Sequence, residues 1–503
     1  MQLSSTSRQT VVTISLTLLA AVSAAAVILL LFLGSFKIVV GLASVILFIT
    51  ALIACGNIRL FFLWGLILTA PLALDKSFMV IPHMGGAGAI KIEAMDIFML
   101  PLLAFLVRDF YQGYRTNFRM PKVLYWWLAL AFLGGITVIF GPMRQVALLE
   151  VVRMLKLALL FIVIVNEVVR IKQFGHIVAA LMVTIAIQSI VGLVQYAFDL
   201  NLGAQILGEI TQANSEYTSK ATYLESEFTN RIGGLIGHPN LLAIFLAILL
   251  PIGISILFSG IKPIYKFLTS MVIIMGLISL VLTLSRSGWI SFGVALAALM
   301  ATTFILPSMR GKYVFGRILT IATIIAVTAA LSGPIMKRIN SSDEGAVSFR
   351  WEWMKVATEM ALDKPVLGYG LNSFIWFMPA YTPYQTHQGV IARYGHQTYL
   401  PVVHNIYLLV WAEQGTVGLL LFLIFYFRLL YISFQGLATY KQPFLAMVNL
   451  GCLAGLLALS VDGLASFFIR NDNCGRIFFI VAALVVAIKW WHTDNIDNRF
   501  PEK

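Results

Sequence analysis

Four side chains of this sequence stand where polar chemistry meets long apolar runs. They are Arg231 in NRIGGLIGHPNLLA, Arg286 in LTLSRSGW, Arg350 in FRWEWMK and His404 in HNIYLLVW. A guanidinium is planar, keeps its charge and offers paired donors that match a phosphate. An imidazole, with a reference pKa near 6.5, accepts a proton around neutral pH. Such cations suit a phosphate group, and such a base suits proton transfer. Each residue also has a plainer reading. Arg286 is then a surface arginine snorkelling into headgroups, Arg231 and His238 mark an interfacial break with a polar cap, and Arg350 is the charge any amphipathic helix carries.

His387 and His396 compete for the base role, with Arg393 among the aromatic residues Tyr384, Tyr394 and Tyr399. Residue chemistry alone leaves that choice open. Asn405, beside His404, can steady the local backbone or an acceptor hydroxyl. Glu413 lies nine residues beyond His404, on about the opposite face of a helix with 3.6 residues per turn, so it is a poor direct partner. A glutamate inside a membrane span is costly unless paired or facing a cavity; structural pairing and contact with substrate or lipid headgroups are its two readings. Gly415 and Gly418 read as packing surface. There is no HExxH, no Cys/His cluster and no P-loop lysine, and the loop acids Asp343, Glu344, Glu352 and Glu359 have ordinary spacing. No cofactor or metal is expected.

The elements that must position these residues are membrane helices. The chain is 60% hydrophobic and 11% charged, with a mean hydropathy of +0.90, whereas soluble domains are about 25% charged. Its repeated runs of helical length imply an all-α polytopic membrane protein, a single integral membrane domain over 1–503. About 14 transmembrane helices are expected, near 11–33, 38–55, 59–75, 94–107, 123–141, 146–168, 176–197, 237–259, 267–284, 288–306, 318–334, 404–427, 444–465 and 477–491. The first run is read as a retained helix, not a signal peptide. The formal charge of +13 does not point to nucleic acid, because it is distributed by side. With the N-terminus inside, the inner segments collect most Lys and Arg, with Asp109, Glu167, Asp494, Asp497 and Glu502 as their acids. This positive-inside pattern places both termini in the cytoplasm.

That topology puts 199–236 outside as a first external segment, and 335–403 outside as the largest loop. Within the latter, Phe349 to Pro365 reads as an amphipathic helix stopped by its proline, and GYG at 368–370 supplies turn positions. Arg231, Arg286, Arg350 and His404 then share one external face. Within the spans, Arg153, Lys156 and Glu413 stand out as charges.

The ordered set NRIGGLIGHPNLLAIFLAILLPI, LTLSRSGWISF, RWEWMKVATEMALDKPVLGYGLNSF and HNIYLLVWAEQGTVGLLLF resembles the O-antigen ligase and O-antigen/exopolysaccharide polymerase superfamily, over roughly Arg231 to Phe427. The resemblance implies a bacterial inner-membrane glycosyltransferase without metal or nucleotide sugar, its site facing the periplasm. Its partners would be an undecaprenyl-diphosphate-linked glycan, an acceptor that is either lipid A–core or a second carrier-linked glycan, and membrane lipids. By motif, His404 matches the family's loop histidine, and Arg231, Arg286 and Arg350 match its diphosphate-binding arginines. A ligase is preferred to a polymerase because one long loop carries Arg350 and leads to His404. The rival from another class, a lipid-linked glycan transporter, needs charge along a continuous cavity, whereas the distinctive polar residues here gather externally.

Overall fold

The computed structural model describes residues 56–81, 85–113, 118–168, 171–198, 231–305, 314–340, 344–382 and 402–494. The expected spans at 11–33 and 38–55, and His387, Arg393 and His396, lie outside them. Each expected span from 59–75 onward has a helix. These are α1 (Ile58–Thr69), α2 (Ala94–Tyr111), α3 (Leu124–Phe140), α4 (Arg144–Glu167), α5 (Ile171–Phe198), α6 (Pro239–Leu257), α7 (Pro263–Leu282), α8 (Arg286–Ile305) and α9 (Val314–Ala330). Then come α10 (Ser332–Asn340), α11 (Glu344–Asp363), the single turn α12 (Phe374–Phe377), α13 (Ile406–Thr439), α14 (Pro443–Asp462) and α15 (Asp472–Asp494). Among the described residues 7 helices are long and apolar enough to cross a membrane, or 8 with α9 and α10 taken as one span bent by 67°. The all-α polytopic class holds. One element outside that class was not foreseen: strands β1 (Asp75–Phe78) and β2 (Ile90–Glu93) pair antiparallel between α1 and α2.

The centre of the bundle is α6. Its sequence is apolar on every face, and it is buried along nearly its whole length, as expected of a helix enclosed by others. It packs closely on α14 through the GCLAG stretch. A Cβ at Gly451 would stand 2.5 Å from Ile252 Cα, and one at Gly455 would stand 2.3 Å from the Ile248 carbonyl oxygen. Small residues four apart let two backbones approach where a side chain would hold them apart.

Helix α13 corrects the reading of its glycines. Gly418 does pack, against Gln414 and Leu133. Gly415 instead breaks the helix, at φ 64° and ψ −169°. The chain leaving α11 fills the break: Thr416 N–H donates to Pro365 O (2.7 Å), Tyr369 N–H to Ala412 O (3.0 Å) and Gly370 N–H to Glu413 O (2.7 Å). Irregular backbone at membrane depth is tolerated where protein satisfies it. Only glycine fits here, since a Cβ at Gly415 would meet the Val366 oxygen at 2.2 Å.

The three charges singled out inside the spans, Arg153, Lys156 and Glu413, are paired. Glu413 forms an ion pair with Arg470 and accepts the N–H groups of Asn372 (3.0 Å) and Phe374 (3.1 Å). Arg470 also meets Glu150 (3.0 Å), which binds Arg153. Lys156 reaches Asp96 (2.6 Å) and Glu93, and Lys91 on β2 reaches Asp472 (2.9 Å). The hairpin, α4, α13 and α15 are thus fastened by one buried ionic network. Glu150 and Asp462 are further carboxylates within the expected spans, and both are buried.

Candidate active site

The site is assembled at the starts of α6, α8 and α13 and the end of α14. Arg231 precedes a glycine turn in which Gly237 N–H donates to Gly233 O (3.1 Å), with Gly234 at φ 58° and Gly237 at φ 87°. Its guanidinium donates from Nε to Thr283 O (3.0 Å) and from Nη2 to Asn240 Oδ1 (2.8 Å). The turn brings the chain into α6 with His238 as N-cap, its Nδ1 accepting the Asn240 N–H at 3.1 Å, and with Pro239 as first helical residue. Proline suits that position because its missing N–H has no partner to lose there.

The turn between α7 and α8 is the hub. Leu284 adopts φ 52°, a left-handed conformation costly for a branched side chain. Three interactions hold it there: Arg231 binds Thr283 O, buried Arg338 donates from Nε to Leu284 O (3.1 Å), and Arg286 Nη2 donates to Arg338 O (2.7 Å). Arg286 therefore sits at the first residue of α8, fixed against α10. Ser285 and Ser287 hydroxyls are 3.3 Å apart, and Ser287 reaches the Asp462 carboxylate, which also accepts from Ser466.

His404 is half-buried just before α13. Asn405 caps that helix, accepting the N–H groups of Tyr407 and Leu408, both at 3.0 Å, and Ile406 N–H is tied to Gly463 O at the end of α14 (2.9 Å). His404 Nδ1 lies 3.0 Å from Val402 O, and the ring meets Phe467 edge-on, centroids 5.2 Å apart. A carbonyl oxygen only accepts, so Nδ1 carries the proton and Nε2 presents the lone pair. Burial, chiefly, and then the Arg350 charge depress the pKa from 6.5 to about 4, against a smaller opposing effect of the Val402 bond. The charge of Arg350, on α11, also acts on His238 and Asp462.

The structure thus gathers Arg231, Arg286, Arg350, His404 and Asn405 at one end of the bundle. It sets Glu413 apart, in the ionic network behind Asn372. The residue-type reading missed Arg338 and Asp462. An aspartate closing the apolar run LLALSVD is the available sign of the second, whereas the residues around Arg338 carry no such sign. Among the described residues no three His, Cys, Asp or Glu side chains converge to hold a metal ion.

Residues 271–423 match the family model described as O-antigen ligase. That match supports the O-antigen ligase superfamily. The family covers both ligases and polymerases of O-antigen assembly. The matched region contains Arg286, Arg338, Arg350, His404 and Glu413, while Arg231, His238, Asp462 and Arg470 lie outside it. None of the curated proteins matches the chain.

Proposed function

We propose that this protein is a membrane glycosyltransferase that moves a glycan from undecaprenyl diphosphate to lipid A–core, as an O-antigen ligase. The observation that carries the reading is the setting of His404, a neutral ring whose Nδ1 is tied to Val402 O and on which the Arg350 charge acts, at the same end of the bundle as Arg231 and Arg286 and largely within the family match. His404 Nε2 takes the proton of the acceptor hydroxyl as its oxygen attacks the anomeric carbon. The bond from that carbon to the diphosphate breaks, and its electron pair leaves with undecaprenyl diphosphate. Fixed guanidinium groups stabilise the charge that grows on the leaving oxygen without a proton being supplied. Attack opposite the leaving group inverts the anomeric centre.

The pKa of about 4 keeps His404 neutral in the free protein but makes it a weak base, and general-base catalysis favours a pKa near the working pH. A bound diphosphate offsets the Arg350 charge and so raises the basicity of His404 when it is needed. In the proposed setting the chain spans the bacterial inner membrane with about 14 helices and both termini in the cytoplasm. The loop 335–403 and the site then face the periplasm.

The second reading, a polymerase, uses the same donor and leaving group with a carrier-linked acceptor. The ligase is favoured because Arg350 and the approach to His404 lie on one long loop, the part of the site free to shape acceptor choice. Offering purified protein lipid A–core and a carrier-linked acceptor in separate reactions tests it. A lipid A–core product is expected, and extension of the carrier-linked chain alone would make it a polymerase.

A further inference from the structure

His238 caps α6 with one side of its ring. Its Nδ1 accepts the Asn240 N–H at 3.1 Å. A backbone N–H can only donate, so Nδ1 holds the lone pair and the proton of the neutral ring is on Nε2. His404 is held in the opposite tautomer by Val402 O. Two rings in one electrostatic neighbourhood are thereby given complementary faces: Nε2 of His404 accepts, and Nε2–H of His238 donates. Among the described residues that N–H meets no protein acceptor, while the Nδ1 side is fully engaged with the cap.

The surroundings say what the donor is for. Arg231 stands beside His238 through its 2.8 Å bond to Asn240 Oδ1, and the Arg231 and Arg350 charges both act on the ring, a cationic setting that suits an anion. Burial first, then those charges and His404, hold the ring near a pKa of about 4, so it remains neutral. A neutral donor is the useful kind beside a diphosphate that leaves from an anomeric carbon. The departing diphosphate is a weak base and needs no proton, so a hydrogen bond that strengthens as charge accumulates is sufficient. An acid there would also add to the cationic charge that disfavours protonation of His404.

We propose that His238 donates an Nε2–H hydrogen bond to the diphosphate of the carrier-linked donor, as the catalytic counterpart of His404. This rests on the glycosyl-transfer reading above. His238→Asn separates the two sides of the ring, because asparagine is a strong N-cap and its Oδ1 replaces Nδ1, but its amide falls short of the Nε2 position. His238→Gln does the reverse, reaching the Nε2 position with an amide donor while losing the short cap.

The experiment measures thermal stability, binding of undecaprenyl diphosphate, and turnover of a defined carrier-linked glycan for purified full-length wild type and both variants. His238→Asn is expected to melt with wild type while its kcat falls about ten- to hundred-fold, the scale of one hydrogen bond to a charged group. His238→Gln is expected to recover part of that rate despite a lower melting temperature. Wild-type turnover in His238→Asn, with a loss in His238→Gln that follows stability alone, would overturn the proposal and leave His238 a cap. Failure of the wild type to bind the carrier diphosphate or transfer glycan would instead refute the glycosyl-transfer reading itself, and the donor role with it.

Discussion

The depressed basicity of His404 gives a quantitative pH prediction. With a free-protein pKa of about 4, the ring is about 97% neutral at pH 5.5, whereas a reference histidine at 6.5 would be only about 9% neutral. Because kcat/KM reports the free enzyme, it should change by only a few per cent between pH 7.5 and 5.5, where an ordinary histidine would cost about tenfold. Activity is present above the pKa and lost below it, so the acid limb falls near pH 4. The limb in kcat, which reports the complex, should lie at higher pH because bound diphosphate neutralises part of the cationic field. Arg350→Gln removes the second-largest cause of the depression. It should move the kcat/KM limb upward but short of pH 6.5, since burial, the larger cause, remains. The assay is initial rate against pH and donor concentration in nanodiscs, with His238→Asn as a control because that ring also titrates near 4. A kcat/KM limb near 6.5 in wild type, or one unmoved by Arg350→Gln, would refute the reasoning.

Other outcomes follow from the same geometry. Arg286→Lys keeps the charge but loses the planar fork that reaches Arg338 O, so turnover should stay well below wild type and Arg286→Ala should be lower still; near-normal rates in both would make Arg286 an interfacial anchor. Arg470→Gln leaves Glu413 buried without its cation and should destabilise by about 3–5 kcal/mol. Glu413→Gln should cost less because Arg470 keeps Glu150, an order that thermal unfolding in detergent checks. Gly415→Ala forces a Cβ against Val366 O at φ 64° and should destabilise by more than about 1 kcal/mol in the same measurement. Single cysteines at the exposed positions Asp363 and Lys262 should label from opposite faces of inner-membrane vesicles; labelling from one face would break the proposed topology.

Much of this arrangement is legible in the residues because its signals are local. HPN announces the start of α6, HN the start of α13, and Pro365 the end of the helix observed over Glu344–Asp363. Charge bias placed Arg231, Arg286, Arg350 and His404 on one face, and the structure brings them to one end of the bundle. What escaped depends on distant partners. Gly415 looks like packing surface until the segment 365–370 is seen to occupy the break it opens. The pairing of Glu413 with Arg470 crosses 57 positions, and nothing at either residue names the other. The four-residue strands β1 and β2 are too short to stand out among hydrophobic runs. Arg338 earns its place only by bonding the carbonyl of a residue with left-handed backbone. The tautomers of His238 and His404 likewise require the fold, since a backbone donor sets one and a backbone acceptor the other.

Transfer in a defined membrane tests the central claim most directly. Purified wild type and His404→Ala would be reconstituted in liposomes with carrier-linked glycan and lipid A–core, without an ion gradient or a divalent metal. The account predicts a glycosidic product and released undecaprenyl diphosphate from wild type. It predicts carrier-lipid binding without product from His404→Ala. Relocation of an unchanged donor across the bilayer, or transfer by His404→Ala at the wild-type rate, would contradict it.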